Sequence, residues 1–198
     1  MEKTLLVVPS EVELEIARPM FSDATTLQRC GFGPVDSAIE TSRLLARGEY
    51  HRMLLFGIAG TYDPQQLPIG TACSFQQVAL YGVGAGEGQD FQTAWELSLA
   101  ESSQKLELAG FEPTDNLLLT VTSAAANFDE VKRRRVKFAT AIAEDMEAWS
   151  VALACHRFGV PLTVIRGISN VAGDRDHSRW QIREALEAAA EIVKRAID

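Results

Sequence analysis

The chain has 198 residues, a formal net charge of −8 and a 46% hydrophobic content. This length suits one well-buried domain over residues 1–198, and the composition excludes general disorder. The acidic balance argues against nucleic acid or an anionic membrane as the principal partner, because both reward a basic surface.

Thr4 to Pro9 is a continuous apolar run closed by turn residues, which predicts a central strand. Ser10 can cap a following helix, with Glu11 and Glu13 in its first turn, where a helix N-terminus favours negative charge. Thr25 to Cys30 reads as a short strand running into Gly31-Phe32-Gly33-Pro34. Pro34 near a helix start and Gly48 past its end predict a helix over Val35 to Arg47. Met53 to Ile58 is a second apolar strand, expected to end in Gly57-Ile58-Ala59-Gly60-Thr61. Ile69 to Tyr81 is one bent strand or a hairpin, and Gly82 to Asp90 is glycine-rich enough for a mobile loop. Phe91 to Ala109 is expected to be helical, and Leu117 to Thr122 gives a buried strand.

Ser123 to Asn127 forms a small-residue loop ahead of a helical Phe128 to Phe138. Its run Lys132 to Lys137 is read as a solvated face. Ala148 to Phe158 predicts a helix stopped by Gly159 and Pro161, and Leu162 to Ile168 a buried β-branched strand. Two polar clusters, Glu144-Asp145-Met146-Glu147 and Ser169-Asn170, bracket that helix–strand unit. A final helix carries one apolar face, Ile182, Ala185, Leu186, Ala189, Val193 and Ala196, with Ser178-x-x-Gln181 as its expected capping box. The alternation of strands and helices predicts a three-layer αβα sandwich around a mixed, largely parallel sheet. Ligands collect at the carboxyl ends of strands in such folds. That rule gathers Ser10–Glu13, Gly57–Thr61, Ser123–Phe128 and Ser169–Asn170 on one rim.

Cys30, Cys73 and Cys155 lack metal-ligand spacing and are expected to be apolar fillers in a reducing, cytoplasmic setting. His51, His156 and His177 are too dispersed to suggest a metal site. No apolar run reaches membrane-spanning length, and the strand beginning near Met1 leaves no room for a leader ahead of it. Trp149 and Trp180 are read as core or interface residues. Glu147 at a helix start can pair with the helix dipole, or accept hydrogen bonds from a vicinal diol. Asn170 after a strand can satisfy its own turn, or present an amide to a purine. Glu11 and Glu13 can be solvated acids or water-activating bases.

Taken together these blocks resemble the nucleoside phosphorylase and nucleosidase superfamily, and within it the futalosine hydrolases. The resemblance rests on Val7-Val8-Pro9-Ser10 with Glu11 and Glu13, Cys30 to Val35, Gly57 to Gly60, Glu144 to Glu147, and Arg166 to Asn170 with Gly173 to Asp176. It implies hydrolysis of an N-ribosidic bond with water as nucleophile and without a metal or organic cofactor. It also implies residue roles. Glu13, with Glu11 as fallback, would activate water, and Asn170 would meet the leaving purine. Glu147 and Met146 would hold the ribose, Phe128 would pack on the purine, and Ser169, Ala59 and Gly60 would complete the substrate site. Asn170 stands where similar adenine-specific nucleosidases carry Asp, which fits hypoxanthine and so futalosine rather than methylthioadenosine. The substrate's carboxyphenyl group would meet a basic residue, Arg175 or Arg179 by position. The loop after the first strand carries acids where a phosphorylase needs a cation, which favours hydrolysis. Relatives of this kind form homo-oligomers, with a dimer the expectation.

Overall fold

Strand β1 (Thr4–Val8) lies between β2 (Leu27–Arg29) and β3 (Arg52–Thr61), parallel to both. This computed structural model describes residues 3–21, 27–110 and 116–197, so the predicted strand residues Thr25 and Thr26 lie outside it. Every residue of β1 after Thr4 is buried, and the period-two alternation of a strand divides them. Leu5 and Val7 face one apolar cluster, and Leu6 and Val8 face another. The same split recurs in β3, where Met53 and Leu55 oppose Leu54 and Phe56.

The sheet continues from β3 through β10 (Ala141–Asp145), β9 (Leu117–Val121) and β5 (Gln77–Tyr81) to β8 (Lys105–Glu107). Strand β11 (Leu162–Val171) pairs parallel with β3 along its length, and β4 (Ala72–Phe75) runs antiparallel beside β11. Helices α2 (Gly33–Leu45) and α4 (Ala148–Phe158) cover one face. Helices α1 (Glu11–Ala17) and α5 (Ile182–Ile197) cover the other. Helix α3 (Phe128–Lys137) packs through Val131 against the β5–β9–β10 side. The result is the expected three-layer αβα sandwich on a mixed, largely parallel sheet. None of the described helices is long and apolar enough to cross a membrane.

Several local expectations are corrected. Strand β3 does not end at Ile58 but runs to Thr61, because β11 and β10 pair with its last residues. Ile69–Tyr81 is no hairpin: β4 pairs with β11, while β5 pairs with β9 and β8. Helix α2 starts at Gly33, two residues earlier than expected, with Pro34 in its first turn. Gly82–Asp90 holds a short strand, β6 (Gly84–Ala85), paired with β7 (Gln92–Thr93), and a 3-10 turn at Gly88–Asp90.

Phe91–Ala109 is not helical. One turn starts where Thr93 and Glu96 bond each other's backbone N–H, and Leu97 N–H donates to Thr93 O at 3.1 Å. Ser98, at φ 57°, then turns the chain out of the helical region. Trp95 packs edge-on against Trp149, centroids 5.8 Å apart, and Leu106 and Leu108 reach the core from extended chain. Tertiary packing thus overrides a helix-favouring composition.

The last helix also begins differently. Ser178 sits in a 3-10 turn, His177–Arg179, and its hydroxyl donates to Asp176 at 2.6 Å. Gln181 O accepts from Ala185 N–H at 3.0 Å to start α5, and Gln181 N–H donates to Ser169 O at 2.8 Å. A capping box does occur in the chain, but at Ser10 and Glu13.

Candidate active site

The carboxyl ends of β1, β3, β10 and β11 surround a cavity of about 350 Å³. Pro9, Ser10, Val12, Glu13, Ile58–Gly60, Glu144–Glu147 and Ser169–Asn170 all contribute to its wall. Segments that the strand-end rule gathers thus contribute to one cavity, the loop after β9 through Ala124.

Glu13 enters this cavity through helix capping. The Ser10 hydroxyl accepts from Glu13 N–H at 3.2 Å, while Glu13 Oε2 accepts from Ser10 N–H at 3.0 Å and from its hydroxyl at 2.6 Å. The second oxygen, Oε1, accepts from Ile58 N–H at 3.0 Å. Glu13 is buried, whereas Glu11 points to solvent on the same helical turn. Burial pushes the Glu13 carboxyl above its ordinary range; the Ser10 bond and the Arg166 charge act against that shift.

Glu147 immediately precedes α4. Its Oε1 accepts from Gly33 N–H at 3.0 Å, and Oε2 lies 3.5 Å from Arg166 Nη2. Burial, followed by the negative charge of Asp145, pushes its pKa up to about 8. Met146 beside it lines the cavity.

Arg166 lies behind this wall, fully enclosed in β11, which up to Ser169 is otherwise apolar except for Thr163. Its Nε and Nη2 both donate to Asp145 Oδ2, the former at 3.1 Å. Asp145 also accepts from Thr120 Oγ1 at 2.6 Å and from Ala148 N–H at 2.9 Å. Arg166 Nη1 has no hydrogen-bond partner among the described residues. It lies next to Glu13 across Gly57, where an added Cβ would overlap both the Arg166 Nη1 and Glu13 Oε1 atoms. A charged residue inside an apolar strand was the sequence signal for this network, since a buried guanidinium requires acidic partners.

Asn170 is aimed by a β-bulge. Ile168 pairs with Ala59 and Asn170 with Gly60, so Ser169 and Asn170 oppose a single residue. The Ser169 hydroxyl donates to Asn170 Oδ1 at 2.8 Å, and Asn170 Nδ2 donates to Val171 O at 3.0 Å. Both Ser169 and Asn170 line the cavity, as do Ala59 and Gly60.

Phe128 is not brought to this wall. It opens α3 with 56% of its surface exposed, because Asn127 caps that helix and turns residue 128 outward. The aromatic side chains that do line the cavity are Phe32, the residue before α2, and Trp180. Trp149 is core, as expected, and Trp180 lines the cavity. Arg175 lines the cavity, while Arg179 is turned to Asp174 and Asp176.

The basic run in α3 is mostly a solvated face, with one exception. Arg134 is buried, 2.5 Å from Glu144 Oε2, and its Nη2 donates to Ser123 O at 2.8 Å. Glu144 also accepts from Tyr62 hydroxyl at 2.9 Å and from Ala125 N–H at 2.8 Å. This pair therefore pins the Ser123–Ala125 loop against the cavity wall. The described residues contain no cluster of three potential metal ligands.

A family model described as "Phosphorylase superfamily" matches residues 22–198, and the chain belongs to that superfamily. A 5′-methylthioadenosine/S-adenosylhomocysteine nucleosidase of Marinomonas sp. is 30% identical over 83% of this chain and 75% of its own. A futalosine hydrolase of Streptomyces coelicolor is 28% identical over 90% of this chain and 83% of its own. Among solved structures, the Helicobacter pylori 5′-methylthioadenosine/S-adenosylhomocysteine nucleosidase superposes with a TM-score of 0.83 at 17% identity, covering 100% of this chain and 98% of that one. That likeness speaks for the fold.

Proposed function

We propose that this protein is a purine nucleosidase that hydrolyses the N-ribosidic bond of futalosine. The products are hypoxanthine and dehypoxanthine futalosine, in the alternative menaquinone pathway. The observation that carries the proposal is the meeting of Glu13, Glu147 and Asn170 on one cavity wall.

Cleavage of an N-ribosidic bond leaves positive charge on the sugar, as in glycoside hydrolysis generally. Glu147 accepts hydrogen bonds from the ribose 2′- and 3′-hydroxyls, and its ionised form stabilises the developing cation. Glu13 takes a proton from the attacking water. Its raised pKa, set by burial, brings it closer to the pH at which a general base works well. The Asn170 amide keeps one N–H for Val171 O, and its second N–H is available to the departing purine at N7. Beside a 6-oxo group an amide is a better partner than a carboxyl, which is the reason for choosing hypoxanthine. The turn after β1 supplies carboxylates rather than a phosphate-binding cation, which supports water over phosphate as the nucleophile.

Cleavage of methylthioadenosine or adenosylhomocysteine is the second reading, supported by the Marinomonas relative's name. One assay separates them: purine release from futalosine, inosine, methylthioadenosine and adenosylhomocysteine, each with and without phosphate. Futalosine as the best substrate without phosphate is the expected result. Preferred cleavage of methylthioadenosine overturns the futalosine reading, and no release from any of them overturns the nucleosidase reading. A homodimer is part of the proposal, supported by Val35 and Ile39, exposed apolar residues one turn apart on α2. Light scattering tests it.

A further inference from the structure

The cavity wall is built from two chemically different groups of residues. Around Arg166 it is acidic, with Glu13, Asp145 and Glu147 gathered on one guanidinium. The segment joining β11 to α5 brings Arg175, His177 and Trp180 to the wall instead. The Arg175 guanidinium carbon lies 5.2 Å from the Trp180 ring centroid. The His177 ring lies 4.4 Å from the same ring at an interplanar angle of 39°. Trp180 is itself held, because its indole N–H donates to Asp174 O at 3.3 Å.

The acids of this segment are already engaged. Arg179 Nη2 lies 2.7 Å from Asp174, and its Nε 3.3 Å from Asp176. Asp176 additionally accepts from Ser178. Arg175 has instead the indole face and a 3.4 Å approach to His177 Nε2, neither of which neutralises its charge. Among the described residues it has no carboxylate within ion-pair distance. A guanidinium stacked on an indole can offer its fork of N–H groups to a carboxylate in its plane. The indole meanwhile offers a face to a flat apolar body. The two together select a planar group that carries a carboxylate.

We propose that Arg175 and Trp180 form the subsite for an aryl carboxylate carried at the ribose 5′ position. The inference rests on the nucleosidase reading, in which Glu147 takes the ribose and Asn170 the base, leaving the Arg175–Trp180 part of the wall for the 5′ substituent. It separates two candidates that sequence position left equal, because Arg179 is committed to Asp174 and Asp176.

The test compares futalosine with its carboxylate methyl ester, on the wild type, Arg175→Met and Arg175→Lys. Affinity is read by calorimetry and KM from base release. Wild type is expected to prefer the acid over the ester, and Arg175→Met to reduce that preference about tenfold or more, the size of a charge-assisted hydrogen bond. Arg175→Lys, which keeps the charge and loses the fork, is expected between them. A wild type without preference for the acid, or an Arg175→Met variant with the preference intact, overturns the subsite. A folding defect would weaken acid and ester alike and leave their ratio intact, so it cannot imitate the expected result. Preferential binding of the acid that depends on Arg175 but gives no hydrolysis overturns the futalosine hydrolase reading and supports the subsite. Failure of the wild type to bind either compound overturns both.

Discussion

The Gly33 N–H and the Glu147 carboxylate, 114 residues apart in the chain, meet at 3.0 Å. Gly33 opens α2 and Glu147 precedes α4, and these helices pack side by side through Leu44, Leu45, Val151 and Ala152. The orientation of the proposed ribose acceptor thus depends on helix packing on one face of the sheet. Glu13, the proposed water-activating acid, is by contrast set by the capping of α1 on the other face.

The raised pKa of Glu147 has a consequence for stability. Its value rises from an ordinary 4.5 to about 8, so the folded protein holds this proton more tightly than the unfolded chain does. The stability it contributes is complete below the unfolded value and is lost as pH rises through the folded one. The melting temperature of the ligand-free protein should therefore fall between about pH 5 and pH 8. Glu147→Gln, which is neutral throughout, should flatten that decline and reduce nucleoside cleavage at least about a hundredfold. Parallel melting curves for the two proteins across that range would contradict the assignment.

Gly57→Ala tests how closely Glu13 and Arg166 are packed. Gly57 pairs with Arg166 across β3 and β11, and an added methyl would overlap both Arg166 Nη1 and Glu13 Oε1. Pro9 Cδ, 3.0 Å away, closes the third side. Neither charged group can retreat without losing its hydrogen bonds, so urea unfolding should show a loss of about 1–3 kcal/mol. Activity should fall further than stability does. A variant with wild-type stability and activity would mean that the wall can relax around the methyl group.

Asn170→Asp separates base recognition from folding. The Ser169 hydroxyl can still donate to a carboxylate there, but the bond to Val171 O and the second amide N–H are lost. Hypoxanthine release from futalosine should drop about tenfold or more, the expected cost of an unmatched polar group against the base. The melting temperature should change little. Unchanged hypoxanthine release would remove the amide from base recognition.

The sheet and the rim were legible because their signals are local. Continuous apolar runs such as Leu5–Val8 and Leu117–Leu119 have no other home than a strand buried on both faces. Glu147 and Asn170 could be placed because each lies next to the end of such an element. Other features depend on distant partners. Trp95, in a stretch of helix-favouring composition, is fixed by Trp149, and Ser98 breaks the helix at positive φ. Arg134 looks like one of several solvated bases until Glu144 closes on it from β10. The choice of Glu13 over Glu11 was available locally, since Ser10-x-x-Glu13 is itself a capping-box spacing, whereas Ser178-x-x-Gln181 has that spacing without the bonds.

The Arg134–Glu144 pair yields a stability prediction. Both side chains are buried, at 7% and 5% exposure, and the carboxylate has three donors. Arg134→Met leaves Glu144 charged without its cation, which should cost about 3–5 kcal/mol. The double variant with Glu144→Gln should recover part of that loss, because the stranded charge is gone. Urea titration of both variants checks it. Equal stabilities for the single and double variants would show that the pair acts only through its hydrogen bonds to the loop.

Ser10→Ala couples the start of α1 to the chemistry. The hydroxyl both accepts from Glu13 N–H and donates to the Glu13 carboxylate, so its loss removes a helix cap worth about 1 kcal/mol. It also removes the foremost of the influences that hold the Glu13 pKa down against burial. That pKa should therefore rise further in the variant. Because a protonated Glu13 cannot accept the proton of water, the acid limb of the kcat/KM profile should move to higher pH. The loss of activity should be greater at pH 6 than at pH 8, while Ser10→Thr, which retains the hydroxyl, should follow the wild-type profile. A loss of the same size at every pH would mean that Ser10 serves the helix alone, and that Glu13 does not set the acid limb.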